Sequence, residues 1–367
     1  MKLVKVFSVV AVLLALAAGS VFAKKAKPEV RKLKVVTTIF PEYDWTREVV
    51  GEKMDAVELT LLLNNGVDLH SYSPSVRDIA KISEADIFVY VGGESDGWVG
   101  DVLKSAKNRG MKVINLLEVL GDRVKAEEVV EGMEHEHDHE HGDAHHHHDD
   151  DHDHDAHHHE HEHEHGDAHH HHDDDHDHEA HHHDDEDEDE KDEHVWLSLR
   201  CAKLLCGEIC AALCEKDSAN AATYRKNLAG YSAKLDALDA KYADAVKNAR
   251  VKTLVFGDRF PFRYLVDDYG LRYFAAFPGC SAESEASFST ILFLSGKVDE
   301  LGLNAVCQIE SGNGKIAKTV ISSGKSKKAS VVTFDSLQST TTRQAKKGVT
   351  YLNTMEKNLE ALREALK

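Results

Sequence analysis

The sequence predicts an α/β protein of two lobes, each with a parallel four-stranded sheet, joined by one long rigid helix and interrupted by a disordered insert. Three observations lead to this prediction. Short β-branched apolar runs alternate with amphipathic stretches in both halves of the chain, as in βαβ units. A proline-free helical period of about thirty residues separates the halves. A tract of His, Asp and Glu with few apolar residues interrupts the first half.

Each lobe is predicted from four strand-like runs. Those of the first lobe are 33–40, 56–63, 85–92 and 112–118, and those of the second are 251–258, 271–279, 303–310 and 329–335. Between the lobes, apolar side chains recur every three or four residues from Tyr224 to Val246, with Ser218 as a candidate N-cap. At 1.5 Å per residue this helix would be roughly 45 Å long. A closing helix is predicted from the spacing of Leu352, Met355, Leu359, Leu362 and Leu366.

The N-terminus is predicted to be an export signal. Lys2 and Lys5 lead into the apolar run VFSVVAVLLALAAGSVFA, whose small residues provide a cleavage site after Ala23. A membrane anchor is the alternative, although the run is near the lower length limit for a span. No cysteine lies near the cleavage site. We therefore expect an unlipidated, soluble, periplasmic protein.

The net charge of −21 is unevenly distributed along the chain. Residues 134–193 contain 28 acidic side chains and one lysine, so they carry −27 and the rest of the chain about +6. No basic stripe stands out in the remainder, which argues against nucleic-acid binding. We divide the chain into a signal peptide (1–23), a first lobe (24–130), the insert (131–193), the end of the first lobe with the long helix (194–250), and a second lobe (251–367).

The six cysteines suggest disulfides in an exported protein, but their spacing argues otherwise for three of them. Cys206, Cys210 and Cys214 lie four residues apart on a helix-like segment, where side chains are poorly placed for an S–S bond. We predict small buried thiols there, rather than a metal site or disulfides. Cys280 and Cys307 could pair, and the sequence leaves this open.

Histidine is concentrated in the insert. Of 27 histidines, 25 lie between His135 and His183, where HGDAHHHHDDDHDH occurs at 141–154 and again at 165–178. A tract with this much charge and so little apolar surface does not fold. Its imidazoles would bind Zn²⁺, Cu²⁺ or Ni²⁺ weakly and exchange them quickly. We interpret it as an accessory tract beside a binding site; a solvated repeat without consequence is the alternative.

The other two histidines, His70 and His194, lie outside this tract. His70 follows the second strand-like run, and His194 stands where ordered sequence resumes. Ligands of open α/β sheets bind outside the carboxyl ends of the strands, and a cleft between lobes is a natural pocket. One imidazole at each edge of such a cleft could chelate a cation. Three acids follow second-lobe strands at the same edge, each with a structural alternative as helix cap, supporting acid or turn residue: Asp258, Glu310 and Asp335.

Taken together, these segments resemble the zinc and manganese solute-binding proteins of ABC importers, the ZnuA/TroA-like class. The resemblance covers essentially the whole mature chain, and the order and spacing of its markers make it specific. The markers are VVTTIFPEYDWTREVVG, HSYSPSVRDIAKISEADIFVYVG, the His-rich tract, DEHVWLSL, the long helix, VFGDRFPFRYLVDDYGL and VVTFDS.

The resemblance implies a metal held between two lobes by residues at the positions of His70 and His194. Family members take a third ligand, His or Glu, from the position that matches Gly257, which has no side chain to offer. Its neighbour Asp258, or water, is the substitute we expect. Manganese-type members add an Asp at the position of Asp335.

The implied function is a zinc-binding component of an ABC importer, a monomer that delivers Zn²⁺ to a membrane permease driven by a cytoplasmic ATPase. Two imidazoles favour Zn²⁺, and so does the His-rich tract; the carboxylates keep Mn²⁺ as the less favoured alternative. An exported metal-buffering protein that acts through the tract is a second hypothesis. A metallohydrolase is the third, and no arrangement of nucleophile and base supports it. We expect no enzymatic activity.

Overall fold

A computed structural model describes residues 31–133, 190–281 and 285–367. The predicted signal peptide, and the part of the His-rich insert from residue 134 to 189 for which we predicted disorder, lie outside the described residues. Among the described residues, no helix combines the length and apolarity needed to cross a bilayer.

The first lobe is built on a four-stranded parallel sheet. Its strands are β1 (Leu33–Thr37), β2 (Val57–Leu61), β3 (Ile87–Tyr90) and β4 (Lys112–Asn115), in the order β2-β1-β3-β4. Helices α1 (Phe40–Val50), α2 (Val76–Ser83), α3 (Val99–Lys104) and α4 (Leu116–Leu120) follow the four strands in turn. The central strands β1 and β3 have neighbours on both sides, and three consecutive residues of each, 35–37 and 87–89, are buried.

Two helices connect the lobes. They are α5 (Leu199–Lys216) and α6 (Ala221–Lys247). Helix α6 has 27 residues, about 40 Å at 1.5 Å per residue. It bonds to both lobes, because Asn227 Nδ2 donates to the Val49 carbonyl (3.1 Å) and the Tyr242 hydroxyl donates to the Met355 carbonyl (2.6 Å). The long helix that the sequence predicted is therefore a strut between the lobes.

The prediction that Ser218 caps this helix is wrong. Residues Ser218–Asn220 form a 3₁₀ turn, and α6 begins after Asn220. The reason is Asp217, whose Oδ2 accepts hydrogen bonds from Nδ2 of the Asn220 side chain (2.8 Å) and from the Tyr224 hydroxyl (2.6 Å). These bonds stabilise one tight turn ahead of the α-helix.

The second lobe repeats the plan of the first. Its strands are β5 (Thr253–Phe260), β6 (Arg272–Pro278), β7 (Ala305–Ile309) and β8 (Ser330–Phe334), all parallel, in the order β6-β5-β7-β8. Its helices are α7 (Arg263–Tyr269), α8 (Phe288–Glu300), α9 (Lys315–Ser323), α10 (Thr342–Lys346) and α11 (Tyr351–Ala365). All eight predicted strands are present, in most cases one or two residues shorter than the apolar runs at either end.

All six cysteines lie in described residues and are free thiols. On α5, Cys206 and Cys210 are buried, as predicted, whereas Cys214 is half-buried. Cys307 is buried in β7, and Cys280 is half-buried just after β6. The disulfide that the sequence left open between these two is not formed.

Asp44, on α1, is a buried carboxyl group that ties the two lobes together. Its Oδ2 accepts a hydrogen bond from the backbone N–H of Tyr351 (2.7 Å) at the start of α11, and Arg47 contacts Oδ1 at 2.5 Å. Burial raises the pKa of Asp44 from 3.8 to about 6, although the Arg47 charge opposes the change.

We expect Asp44 to make the folded chain less stable as the pH rises from about 4 to about 6. In that range the folded state binds more protons at Asp44 than the unfolded state does, so deprotonation favours unfolding. Asp44→Asn keeps an acceptor for Tyr351 and removes the titration. Its free energy of unfolding, relative to the wild type, should rise across this range by at most about 3 kcal/mol. Urea unfolding at both pH values measures this, with the exposed Asp101→Asn as control; a difference independent of pH would contradict it.

Candidate metal centre

The two histidines outside the insert face each other. His70 lies in the 3₁₀ turn Leu69–Ser71 that follows β2, and His194 directly precedes the turn Val195–Leu197. Their Nε2 atoms are 3.2 Å apart. His194 is fully buried, and the side chain of His70 is 12% exposed. The structure thus brings together two residues that are 124 positions apart in the chain.

Each imidazole is oriented through its Nδ1 atom. His70 Nδ1 contacts Ser95 Oγ at 2.8 Å, and His194 Nδ1 contacts Asp192 Oδ1 at 2.9 Å. Glu193 supports this arrangement, since its Oε1 accepts the backbone N–H of Ser95 (2.9 Å). Supporting groups of this kind fix the ring orientation of metal-binding histidines. Both Nε2 atoms are therefore directed at one point.

The surroundings give the two imidazoles different proton affinities. Burial and the neighbouring His194 lower the pKa of His70 to about 3. At His194 burial acts in the same direction, but the carboxylates of Asp192 and Glu193 outweigh it and raise the pKa. His70 is therefore neutral and presents an Nε2 lone pair to the centre.

A thiol from the second lobe lies close to both imidazoles. Cys280 lies just after β6, and its Sγ and one nitrogen of each histidine all lie within 4.8 Å of one another. Burial and the Glu127 carboxylate raise the pKa of this thiol. The sequence analysis considered Cys280 only as a disulfide partner. The signal it passed over is a cysteine placed directly after a second-lobe strand, at the edge where ligands were expected.

Gly279 allows this approach. A Cβ atom at this position would lie 2.9 Å from Cε1 of His194 and 3.0 Å from the carbonyl oxygen of Phe260. The backbone of the loop after β6 therefore packs directly against the imidazole ring, and only glycine leaves room for it.

The three acids considered as candidate ligands accept hydrogen bonds from backbone and hydroxyl groups of the second lobe. Asp258 Oδ2 accepts the Ile309 N–H (3.2 Å), and Asp335 Oδ1 accepts the Leu337 N–H (2.9 Å). Neither joins the two histidines in a cluster of possible ligands among the described residues. Glu310 accepts hydrogen bonds from the N–H and hydroxyl of Ser336 (2.7 and 2.8 Å), so it supports the loop after β8.

Position 257 has no room for a ligand side chain. A Cβ atom on Gly257 would lie 2.6 Å from Cα and 2.7 Å from the backbone nitrogen of Ala317 on α9. Real Cβ atoms essentially never come this close to backbone. A histidine or glutamate at this position would have to displace the helix.

Polar contacts between the two lobes lie next to the two imidazoles. Arg259 Nη2 pairs with Asp68 Oδ2 at 2.7 Å, joining β5 to the loop that carries His70. The side-chain amide of Gln338 is oriented so that its nitrogen donates a hydrogen bond to Asp68 Oδ1 (2.6 Å). Its oxygen then accepts a hydrogen bond from His194 Nε2 (3.1 Å). Both lobes therefore contribute to the surroundings of the two imidazoles.

This architecture and this pair of histidines can be compared with known proteins. Residues 35–365 match the family described as "Zinc-uptake complex component A periplasmic", ZnuA. The chain belongs to the ZnuA family. It is 31% identical over 335 residues to the zinc-binding lipoprotein AdcA of Streptococcus pneumoniae, which covers 91% of this chain and 56% of AdcA. It is 30% identical over 335 residues to the high-affinity zinc uptake system protein ZnuA of Bacillus subtilis, covering 91% and 88%.

Solved structures of ZnuA-like proteins share the fold. The Zn(II)-bound ZnuA-like domain of Streptococcus pneumoniae AdcA superposes with a TM-score of 0.62 and 26% identity, covering 92% of this chain and 99% of that domain. The predicted two-lobed α/β fold is confirmed. The chain spans little more than half the length of the AdcA relatives. By its description the ZnuA family is periplasmic and serves zinc uptake.

Proposed function

We propose that this ZnuA family member captures Zn²⁺ between its lobes and delivers it to a membrane permease driven by a cytoplasmic ATPase. It acts as an unlipidated monomer in the periplasm, and zinc is its cargo. It carries out no reaction. In the known relatives, AdcA is named zinc-binding and the Bacillus subtilis protein a zinc uptake protein, which supports the same cargo here.

The separation of the two imidazoles carries this proposal. Two nitrogens bound at 2.0–2.1 Å to one tetrahedral zinc ion lie roughly 3.3 Å apart. The Nε2 atoms of His70 and His194 lie 3.2 Å apart, and each ring is already oriented by a partner on Nδ1. The pair can therefore receive the ion without a change of ring orientation.

Asp258 and Asp335 remain predictions of the sequence as further ligands. Both lie at carboxyl ends of second-lobe strands. Asp258 would have to give up a backbone hydrogen bond to reach the ion, because each of its carboxylate oxygens accepts one, whereas Asp335 accepts its backbone hydrogen bond through Oδ1. Manganese prefers oxygen ligands, and imidazoles suit zinc. We therefore propose Zn²⁺ rather than Mn²⁺ as the cargo.

We propose that the His-rich insert collects metal near the cleft and is not the site itself. The insert is followed directly by the segment from Glu190 to His194, which contains the groups that orient the His194 ring. This segment is anchored to the first lobe, because the backbone N–H of Asp192 donates to the Lys125 carbonyl (2.9 Å). A deletion that tests the insert must therefore end before Glu190, because Asp192 and Glu193 support the two imidazoles.

We expect one tight zinc site per chain to survive deletion of residues 134–189. Competitive zinc titration against a strong chelator, with the full chain alongside, counts tight sites and ignores the weak sites of the insert. Buffering through the insert is the competing hypothesis. It would gain the advantage if the deletion removed all tight binding while the full chain took up many ions weakly.

A further inference from the structure

We infer that Cys280 is the third protein ligand of the interlobe zinc, bound through its Sγ atom. This inference rests on the proposed function, because it names a ligand of the same ion. It replaces the ligand that the resemblance places at position 257 with one from the loop after β6. The site then has two imidazole nitrogens, one sulfur and one further position.

The geometry places the thiol beside both imidazoles and leaves no room for a side chain at position 257. Sγ lies within 4.8 Å of one ring nitrogen of each histidine. Gly257 is packed against the backbone of Ala317, so no side chain can extend from it toward the ion. Gly279 lets the loop backbone rest on the His194 ring, which places the next residue beside both imidazoles.

The loop that carries Cys280 is held from both lobes. The Cys280 N–H donates to Glu127 Oε1 (3.1 Å). Arg259 Nη1 donates to the Ser281 carbonyl (3.2 Å), while Nη2 of the same guanidinium pairs with Asp68. Because Asp68 accepts the His70 N–H (3.1 Å), Arg259 fixes the thiol relative to one of the histidines.

Cys280 differs from the cysteines that fill apolar space. Cys206 and Cys307 are at most 1% exposed and belong to the apolar core. Cys280 is half-buried and lies among imidazoles and carboxylates, outside both apolar clusters of the described residues. Its polar, half-buried position distinguishes it from the cysteines that only fill apolar space.

Coordination requires the loss of the Cys280 thiol proton and of the Nε2 proton that His194 donates to Gln338. The Sγ–H and Nε2–H bonds break, both protons pass to solvent, and the electron pairs left on sulfur and nitrogen bind the ion. A thiolate in the ligand set favours Zn²⁺ over Mn²⁺, since soft sulfur ligands select zinc and hard oxygen ligands suit manganese. Cys280 would therefore contribute to metal selectivity as well as to affinity.

The first test uses the full wild-type chain with Co²⁺ in place of Zn²⁺. We expect a near-ultraviolet sulfur-to-cobalt charge-transfer band at one equivalent, which the His and acid groups of the insert cannot produce. X-ray absorption of the zinc-loaded chain should show one Zn–S distance of about 2.3 Å. Zinc should also block alkylation of Cys280, followed by peptide mass spectrometry, and leave the half-buried Cys214 reactive.

The second test uses variants. Cys280→Ser should lose the band and lower the tight zinc affinity at least about 100-fold, because even changes to groups that only support ligands cost 10–100-fold. It should lower Mn²⁺ affinity much less. Cys214→Ser is the matched control and should change neither. Circular dichroism and urea unfolding confirm that both variants fold.

A neighbouring cluster provides the critical comparison. Cys280 Sγ also lies within 4.8 Å of carboxylate oxygens of Glu127 and Glu190. His194→Ala should abolish the sulfur band, and Glu127→Gln should leave most of it. The reverse result would assign the sulfur to the acidic cluster and overturn the inference.

The two proposals fail in distinguishable ways. A single tight zinc site that needs both histidines, but shows no Zn–S distance and no effect of Cys280→Ser, would contradict the thiol ligand. The proposal of zinc capture would then remain valid. Absence of any tight zinc site in the full chain would end the proposed function, and the ligand inference with it.

Discussion

Replacing His194 by alanine is expected to lower the affinity of the tight zinc site by more than about 100-fold. His194 is fully buried, and its Nε2 lies 3.2 Å from that of His70. In the proposed site its loss removes one of two imidazole ligands, and changes to groups that merely support a ligand already cost 10–100-fold. Competitive titration of the full chain measures the loss as one missing tight equivalent, while the weak sites of the insert remain.

Asp192→Asn provides the graded comparison for this result. Its side chain contacts Nδ1 of His194 at 2.9 Å and orients the ring without reaching the ion. We expect a loss of 10–100-fold, between the effect of His194→Ala and no effect. Asp101→Asn, an exposed change, should leave affinity intact. Equal tight binding by the wild type and His194→Ala would place the site elsewhere.

Installing histidine at position 257 is expected to destabilise the chain rather than improve its metal site. A Cβ atom there meets Cα of Ala317 at 2.6 Å, and backbone atoms of a helix cannot rotate away as a side chain can. Overpacking of this kind costs typically 1–3 kcal/mol, and we expect about 3 kcal/mol for Gly257→His. Urea unfolding measures the loss of stability, and zinc titration should show no gain in affinity.

Gly230→Ala is the control for this change. Gly230 lies on an exposed face of α6, and a Cβ atom there meets nothing within 4 Å. Because alanine favours helix over glycine, we expect a gain of about 0.5–1 kcal/mol. A Gly257→His variant that folds with unchanged stability and binds zinc more tightly would show that position 257 can provide a ligand after all.

The sequence by itself determined the two sheets, the long helix and the two principal histidines. Each β-branched run is a local pattern that specifies a buried parallel strand wherever the strand is placed. The 3.6-residue period of α6 is equally local. His70 and His194 were predicted because they are the only histidines outside the tract and each adjoins an element boundary. The prediction that Ser218 caps the long helix was nevertheless wrong, because hydrogen bonds to Asp217 Oδ2 stabilise a 3₁₀ turn ahead of the helix.

The tertiary structure alone decided which other residues reach the centre. Periodicity gives a residue's face on its own element but not the distance between elements. The position of Cys280 after a second-lobe strand therefore did not show that its thiol approaches histidines from the other lobe. The orientation of Asp258 and Asp335 depends on backbone N–H groups that only the folded loops supply. Position 257 is closed because α9 packs against β5, a contact between segments about 60 residues apart. Long-range packing thus decides which side chains meet beside the two histidines, whereas local pattern sets the fold that carries them.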